Sequence, residues 1–159
     1  MALTIQENIS ITYGRGEAIA HNLEKMIGQQ DLSPDLPDLI NRFGAICLDV
    51  ESGPEIRGLI GFKPKSLTLT EPGGRHEEEH PFDDLNGQII KGVSDRCQLP
   101  INLVRKHPIS ALDQIVAEKS IAQVGLITFL NAFPDNQTPP YLSALAKSAA
   151  PLLVDGGQL

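Results

Sequence analysis

Two carboxylates stand two residues apart in Ile46-Cys47-Leu48-Asp49-Val50-Glu51. On an extended strand, residues i and i+2 project to the same face, so Asp49 and Glu51 form a pair able to hold one divalent cation by oxygen donors. Metal-dependent phosphodiesterases use such a pair at a strand end. A second candidate is His76-Glu77-Glu78-Glu79-His80, two imidazoles one helical turn apart with a glutamate beside the first, the spacing used by zinc hydrolases. Gly73 and Gly74 precede this segment, Pro81 follows it, and the positions between the histidines are acidic. Nothing apolar anchors such a helix to a core, so the stretch from Glu71 to Gly87 reads as an exposed acidic loop. Zn²⁺ or Ni²⁺ at His76 and His80 is then adventitious. Gly14-Arg15-Gly16 is a third candidate. It lies between an alternating segment and a helical one, where free N–H groups attract phosphate. A dinucleotide fingerprint requires Gly or Ala at position 19, and Ile19 stands there.

The segment around Asp49 and Glu51 resembles the first motif of DnaQ-like 3′–5′ exonucleases, a strand carrying Asp-x-Glu. His107 and Asp113, in HPISALDQIVAE, are similar to the last motif of that family. The resemblance implies metal-dependent hydrolysis by Asp49, Glu51, His107 and Asp113, with Asp83 or Asp84 as the middle carboxylate. No family pattern extends across the whole chain.

The cysteines, Cys47 and Cys97, form no CxxC pair and fit a reducing compartment. Cys47, between Ile46 and Leu48, reads as core. Cys97 reads as the N-terminus of a helix, a position that favours thiolate. The N-terminal segment lacks the basic-then-apolar pattern of a signal peptide, so the expected compartment is the cytoplasm. The 159 residues carry 13 Lys and Arg against 20 Asp and Glu, a formal charge of −7. That balance argues against nucleic acid, whose backbone needs a positive field to replace its counterions. No apolar run approaches the roughly 18 residues needed to cross a bilayer.

The elements that must position these residues follow from periodicity. Leu3 to Tyr13 alternates as a strand or as a hairpin turning at Gln6 to Asn8, and Ile19, Leu23, Met26 and Ile27 make a helical stripe ending at Gly28. A short helix is expected from Pro37 to Phe43. Ala45 to Val50 and Ile56 to Phe62 read as two strands of a hairpin turning at Glu51 to Pro54. Ser66 to Thr70 alternates as a third strand, and Gln88 to Val93 reads as a fourth. Helices are expected from Leu99 to Lys106, from Ser110 onward, and from Tyr141 to Ala150. Leu126 to Leu130 fits either a strand or a buried helix end.

These elements predict a single α+β domain over residues 1–159, with a small mixed or antiparallel sheet packed against several helices. Its expected function is that of an acidic adaptor that binds a basic protein partner, with homodimerisation as an accompanying expectation and no membrane contact. The alternative is a metal-dependent hydrolase using Asp49 and Glu51 with a divalent metal. A third reading is a small-molecule or phosphate-binding domain using Gly14, Arg15 and Gly16.

Overall fold

The structure, a computed structural model, describes residues 4–7, 21, 24–48, 62–129 and 138–159. Short apolar runs form its strands: β1 (Ala45–Leu48), β2 (Leu67–Thr70), β3 (Ile101–Val104) and β4 (Val124–Phe129), with β5 (Leu153–Gln158) at the end of the chain. All four pairings are parallel, and the sheet order is β3-β2-β1-β4-β5. β1 and β2 are buried along their whole length; β1 carries apolar residues on both faces, while β2 alternates Leu67 and Leu69 with the buried Thr68 and Thr70. Leu69 lies opposite Cys47 on one side of the ladder and Leu103 on the other, while Phe129 lies opposite Leu48. The carboxyl ends of these four strands therefore share one edge.

Helices cover both faces. α1 (Leu36–Phe43) starts with Pro37 in its first turn and buries Leu36 and Ile40, one turn apart. α2 (Arg75–Glu79) is short and buries nothing. α3 (Leu85–Cys97) is capped by Asp84, which accepts from the Gly87 amide at 2.7 Å. α1 and α3 pack Leu36, Ile40, Ile89, Ile90 and Val93 against Ala45, Cys47, Leu67, Leu69 and Leu103. On the opposite face, α4 (Pro108–Glu118) and α5 (Pro139–Ala149) pack Leu112, Ile115, Leu145 and Ala149 against Ile46, Leu48 and Ile127. Each fully buried Leu or Ile contributes about 1.5–3 kcal/mol to such a layer. α1 approaches β4 so closely that a Cβ on Gly125 would lie 2.6 Å from the Leu39 carbonyl carbon.

This is an α/β architecture with an all-parallel sheet, which corrects the expectation of an α+β domain with a mixed or antiparallel sheet. The hairpin reading fails because β1 is flanked on both sides by parallel partners, β2 and β4. Gln88 to Val93 belongs to α3. Its apolar residues at 89, 90 and 93 follow a helical stripe, and Asp84 supplies the start signal. Leu99 to Lys106 contains β3, because Ile101 to Val104 finds a parallel partner in β2. Leu126 to Phe129 is strand. The stretch 71–87 carries α2 and the start of α3, and Glu71 within it is buried. Within the alternating segment expected as a strand, Ile5 to Glu7 are helical; Leu3, residues 8–13 and the run 51–61 lie outside the described residues.

Candidate functional site

A parallel sheet with helices on both faces offers its ligand crevice at the carboxyl ends of the strands, where the order reverses direction. In the order β3-β2-β1-β4-β5 that point lies between β1 and β4. Thr128, level with Cys47 across this pair, keeps its Oγ1 buried without a hydrogen-bond partner among the described residues. A buried hydroxyl with no partner costs on the order of 1–3 kcal/mol unless a ligand or water meets it.

Beside this point, the carboxyl ends of β2 and β3 carry Glu71 and Arg105. The Glu71 amide donates to the Val104 carbonyl at 3.0 Å, which extends the ladder by one bond. Arg105 Nη1 then donates to Glu71 Oε2 at 3.0 Å, and Asn86 Nδ2 donates to Glu71 Oε1 at 3.0 Å. The same guanidinium donates from Nε and Nη2 to the Pro81 carbonyl at 3.2 and 2.9 Å, and from Nη2 to Asp84 Oδ1. A planar fork of donors suits this task, and a lysine ammonium would not reproduce it. Asp84 thus caps α3 and receives Arg105 through the same oxygen. Gly87 permits the fit, since a Cβ there would lie 2.5 Å from both Phe82 Cα and the Pro81 oxygen.

The residues singled out from sequence are scattered by the fold. His76 and His80 lie on one side of α2 with ring centroids 5.1 Å apart, and His76 Nε2 is 3.5 Å from Asp83 Oδ2. Both histidines are exposed. Among the described residues, no group of three or more His, Cys, Asp and Glu is placed to hold a metal ion. His107 is the N-cap residue of α4, and Asp113 lies six positions along on the same helix. That spacing rotates the two about 240° apart at 100° per residue, so they do not converge. Both are exposed. Cys97 ends α3 instead of starting a helix, and its thiol donates to the Val93 carbonyl at 2.7 Å. Burial pushes its pKa up, opposite to the activation that a helix N-terminus supplies. Asp49, Glu51, Gly14, Arg15 and Gly16 lie outside the described residues, and Asp49 is the next residue in sequence after the end of β1.

Sequence reasoning missed Glu71, Asn86, Arg105 and Thr128. The available signal was position: Glu71 follows SLTLT directly and Arg105 follows INLV directly, each a charge at the end of an apolar run. No helix among the described residues is long and apolar enough to cross a membrane. No family model matches the chain, and no curated protein matches it.

Proposed function

We propose that this chain is the nucleoside-binding domain of a transferase that uses a cationic adenosyl cofactor of the S-adenosylmethionine type. The observation that carries the reading is the all-parallel order β3-β2-β1-β4-β5, with its switch point between β1 and β4. Folds of this order bind nucleoside cofactors across the carboxyl ends of the strands, with an acidic residue about 20 positions after the β1 turn accepting hydrogen bonds from the ribose hydroxyls. Glu71 stands 22 positions after Asp49 and directly follows β2. The buried, unpartnered Thr128 hydroxyl supplies a further polar group at the switch point.

The choice among nucleoside cofactors follows from charge. A dinucleotide needs a glycine-rich turn after β1, so that backbone amides can approach the pyrophosphate. Here β1 is followed by Asp49-Val50-Glu51-Ser52-Gly53-Pro54, with two carboxylates and a single glycine. That segment repels a pyrophosphate and favours a ligand bearing positive charge. A sulfonium nucleoside carries that charge at the sulfur, and when bound it supplies an activated methyl group to a nucleophile. Support for an acidic docking surface is weaker. Of Glu77 to Glu79, Glu78 already pairs with Lys106 at 3.6 Å and Glu79 with Arg75 at 3.3 Å.

Thermal denaturation of the full chain with S-adenosylmethionine, S-adenosylhomocysteine, NAD, ATP or Mg²⁺ tests the reading. A ligand bound to the native state at 100 times its Kd raises stability by about 2.7 kcal/mol. The expected result is a clear rise in Tm with the two adenosyl ligands and none with NAD or ATP. Stabilisation by Mg²⁺ alone would instead restore the hydrolase built on Asp49 and Glu51. No shift with either adenosyl ligand ends the proposal.

A further inference from the structure

We infer that Asn86 and Arg105 are positioning residues that hold the Glu71 carboxylate in one orientation, so that the domain distinguishes a ribose from a deoxyribose. This deepens the adenosyl-cofactor reading and rests on it. A glutamate side chain turns about three bonds, and a carboxylate free to rotate loses that freedom when it accepts from a vicinal diol, which offsets part of the gain. In this structure both oxygens of Glu71 are fixed. Oε1 accepts from Asn86 Nδ2 and Oε2 from Arg105 Nη1, each at 3.0 Å.

The two donors are themselves held. Asn86 sits in the first turn of α3, whose cap is Asp84. Arg105 is tied on its other edge to the Pro81 carbonyl and to Asp84, and its side chain is 2% exposed. It therefore has little freedom to leave Glu71. A carboxylate offers about four acceptor positions. The side-chain donors to Glu71 among the described residues use one on each oxygen and come from α3 and from the end of β3. None comes from β1, which flanks β2 on the side of the switch point. Among the described residues, two acceptor positions therefore remain unfilled on a carboxylate that the protein has already oriented, and two adjacent hydroxyls are the ligand group that matches them. Preorganisation of this kind improves discrimination, because the analogue lacking a hydroxyl forfeits a charge-assisted bond to a carboxylate already oriented to accept it.

The test compares S-adenosylhomocysteine with its 2′-deoxy counterpart by titration calorimetry, on the full wild-type chain and on Asn86→Ala and Arg105→Lys. Tm is recorded for each. Wild type is expected to prefer the ribose ligand by about tenfold or more. Asn86→Ala and Arg105→Lys are expected to reduce that preference at least severalfold, with the deoxy ligand binding nearly as before. A purely structural role would weaken both ligands together and leave the ratio unchanged, which overturns the inference. Should Arg105→Lys fail to fold, the ratio measured on Asn86→Ala decides by itself. Wild-type binding without a ribose preference overturns the inference but spares the cofactor reading. Failure to bind either ligand removes both.

Discussion

Arg105 Nη1 stands 3.0 Å from Glu71 Oε2, and the two side chains are 2% and 10% exposed. The register pairs Thr70 with Val104, so the residues that follow them meet directly at the carboxyl edge of β2 and β3. Asp84 brings a second carboxylate to the same guanidinium. It is more than a third exposed, so water screens part of its share. Removing the cation leaves Glu71 buried beside another acid, and breaking a buried pair in this way costs about 3–5 kcal/mol. Arg105→Met is therefore expected to lower Tm by on the order of 10 °C in a chain of this size. Arg105→Lys, which keeps the charge without the fork, should recover part of that loss. An unchanged Tm in Arg105→Met, read by scanning calorimetry, would show the cluster to be energetically idle.

Gly87→Ala sets two effects against each other. Gly87 is the third residue of α3, where alanine is favoured over glycine by less than the roughly 1 kcal/mol of a helix interior. Against this, the new methyl carbon would lie 2.5 Å from the Pro81 oxygen and from Phe82 Cα, and both neighbours are backbone. The Pro81 oxygen also accepts two bonds from Arg105, so moving it disturbs the clasp. Sterics should win, with a net loss of about 1–3 kcal/mol, as overpacking usually gives. Urea denaturation checks the sign, and a stabilised variant would show that segment 81–84 yields easily.

Parts of this fold were legible because local signals agreed with the tertiary outcome. Pro37 to Phe43 and Tyr141 to Ala149 lie within helices α1 and α5, and Ala45 and Ser66 open runs that become β1 and β2. The strand direction was not legible. Glu51 to Pro54 has the composition of a hairpin turn, yet pairing partners are chosen by long-range burial, and β1 finds both of its partners in parallel. Ile89, Ile90 and Val93 illustrate the same limit, since a short β-branched run fits a buried helix face as well as a strand. The site was hidden for a related reason. Glu71 and Arg105 are 34 residues apart and meet only because β2 and β3 are neighbours. No spacing rule announces such a pair.

Cys97 gives a pH dependence with a definite sign. Burial raises its pKa above that of an unfolded thiol, about 8.5, so the folded state holds the proton more tightly. The contribution is fully present below the unfolded pKa and is lost as pH rises through the higher folded value. Stability should therefore fall across the alkaline range more steeply in wild type than in Cys97→Ser. Alkylation by iodoacetamide near pH 8 should also be slower for native Cys97 than for the unfolded chain. Equal rates in the two states would contradict the burial argument.

The acidic segment that follows β1 in sequence makes the sharpest functional claim. Asp49 and Glu51 follow Leu48 in sequence, and the cofactor proposal gives them the task of attracting a positive ligand. S-adenosylmethionine and S-adenosylhomocysteine share the nucleoside and the amino-acid group and differ in the methyl that makes the sulfur a cation. Two unit charges 8 Å apart interact by about 2 kcal/mol at an effective dielectric of 20. Asp49→Asn combined with Glu51→Gln should then weaken the sulfonium ligand by on the order of tenfold more than the thioether. The wild-type preference for the sulfonium should also shrink as salt is raised, while that of the double variant stays flat. Equal loss for both ligands, at every ionic strength, would mean that these carboxylates do not face the sulfur, and the charge argument against a dinucleotide would fall with it.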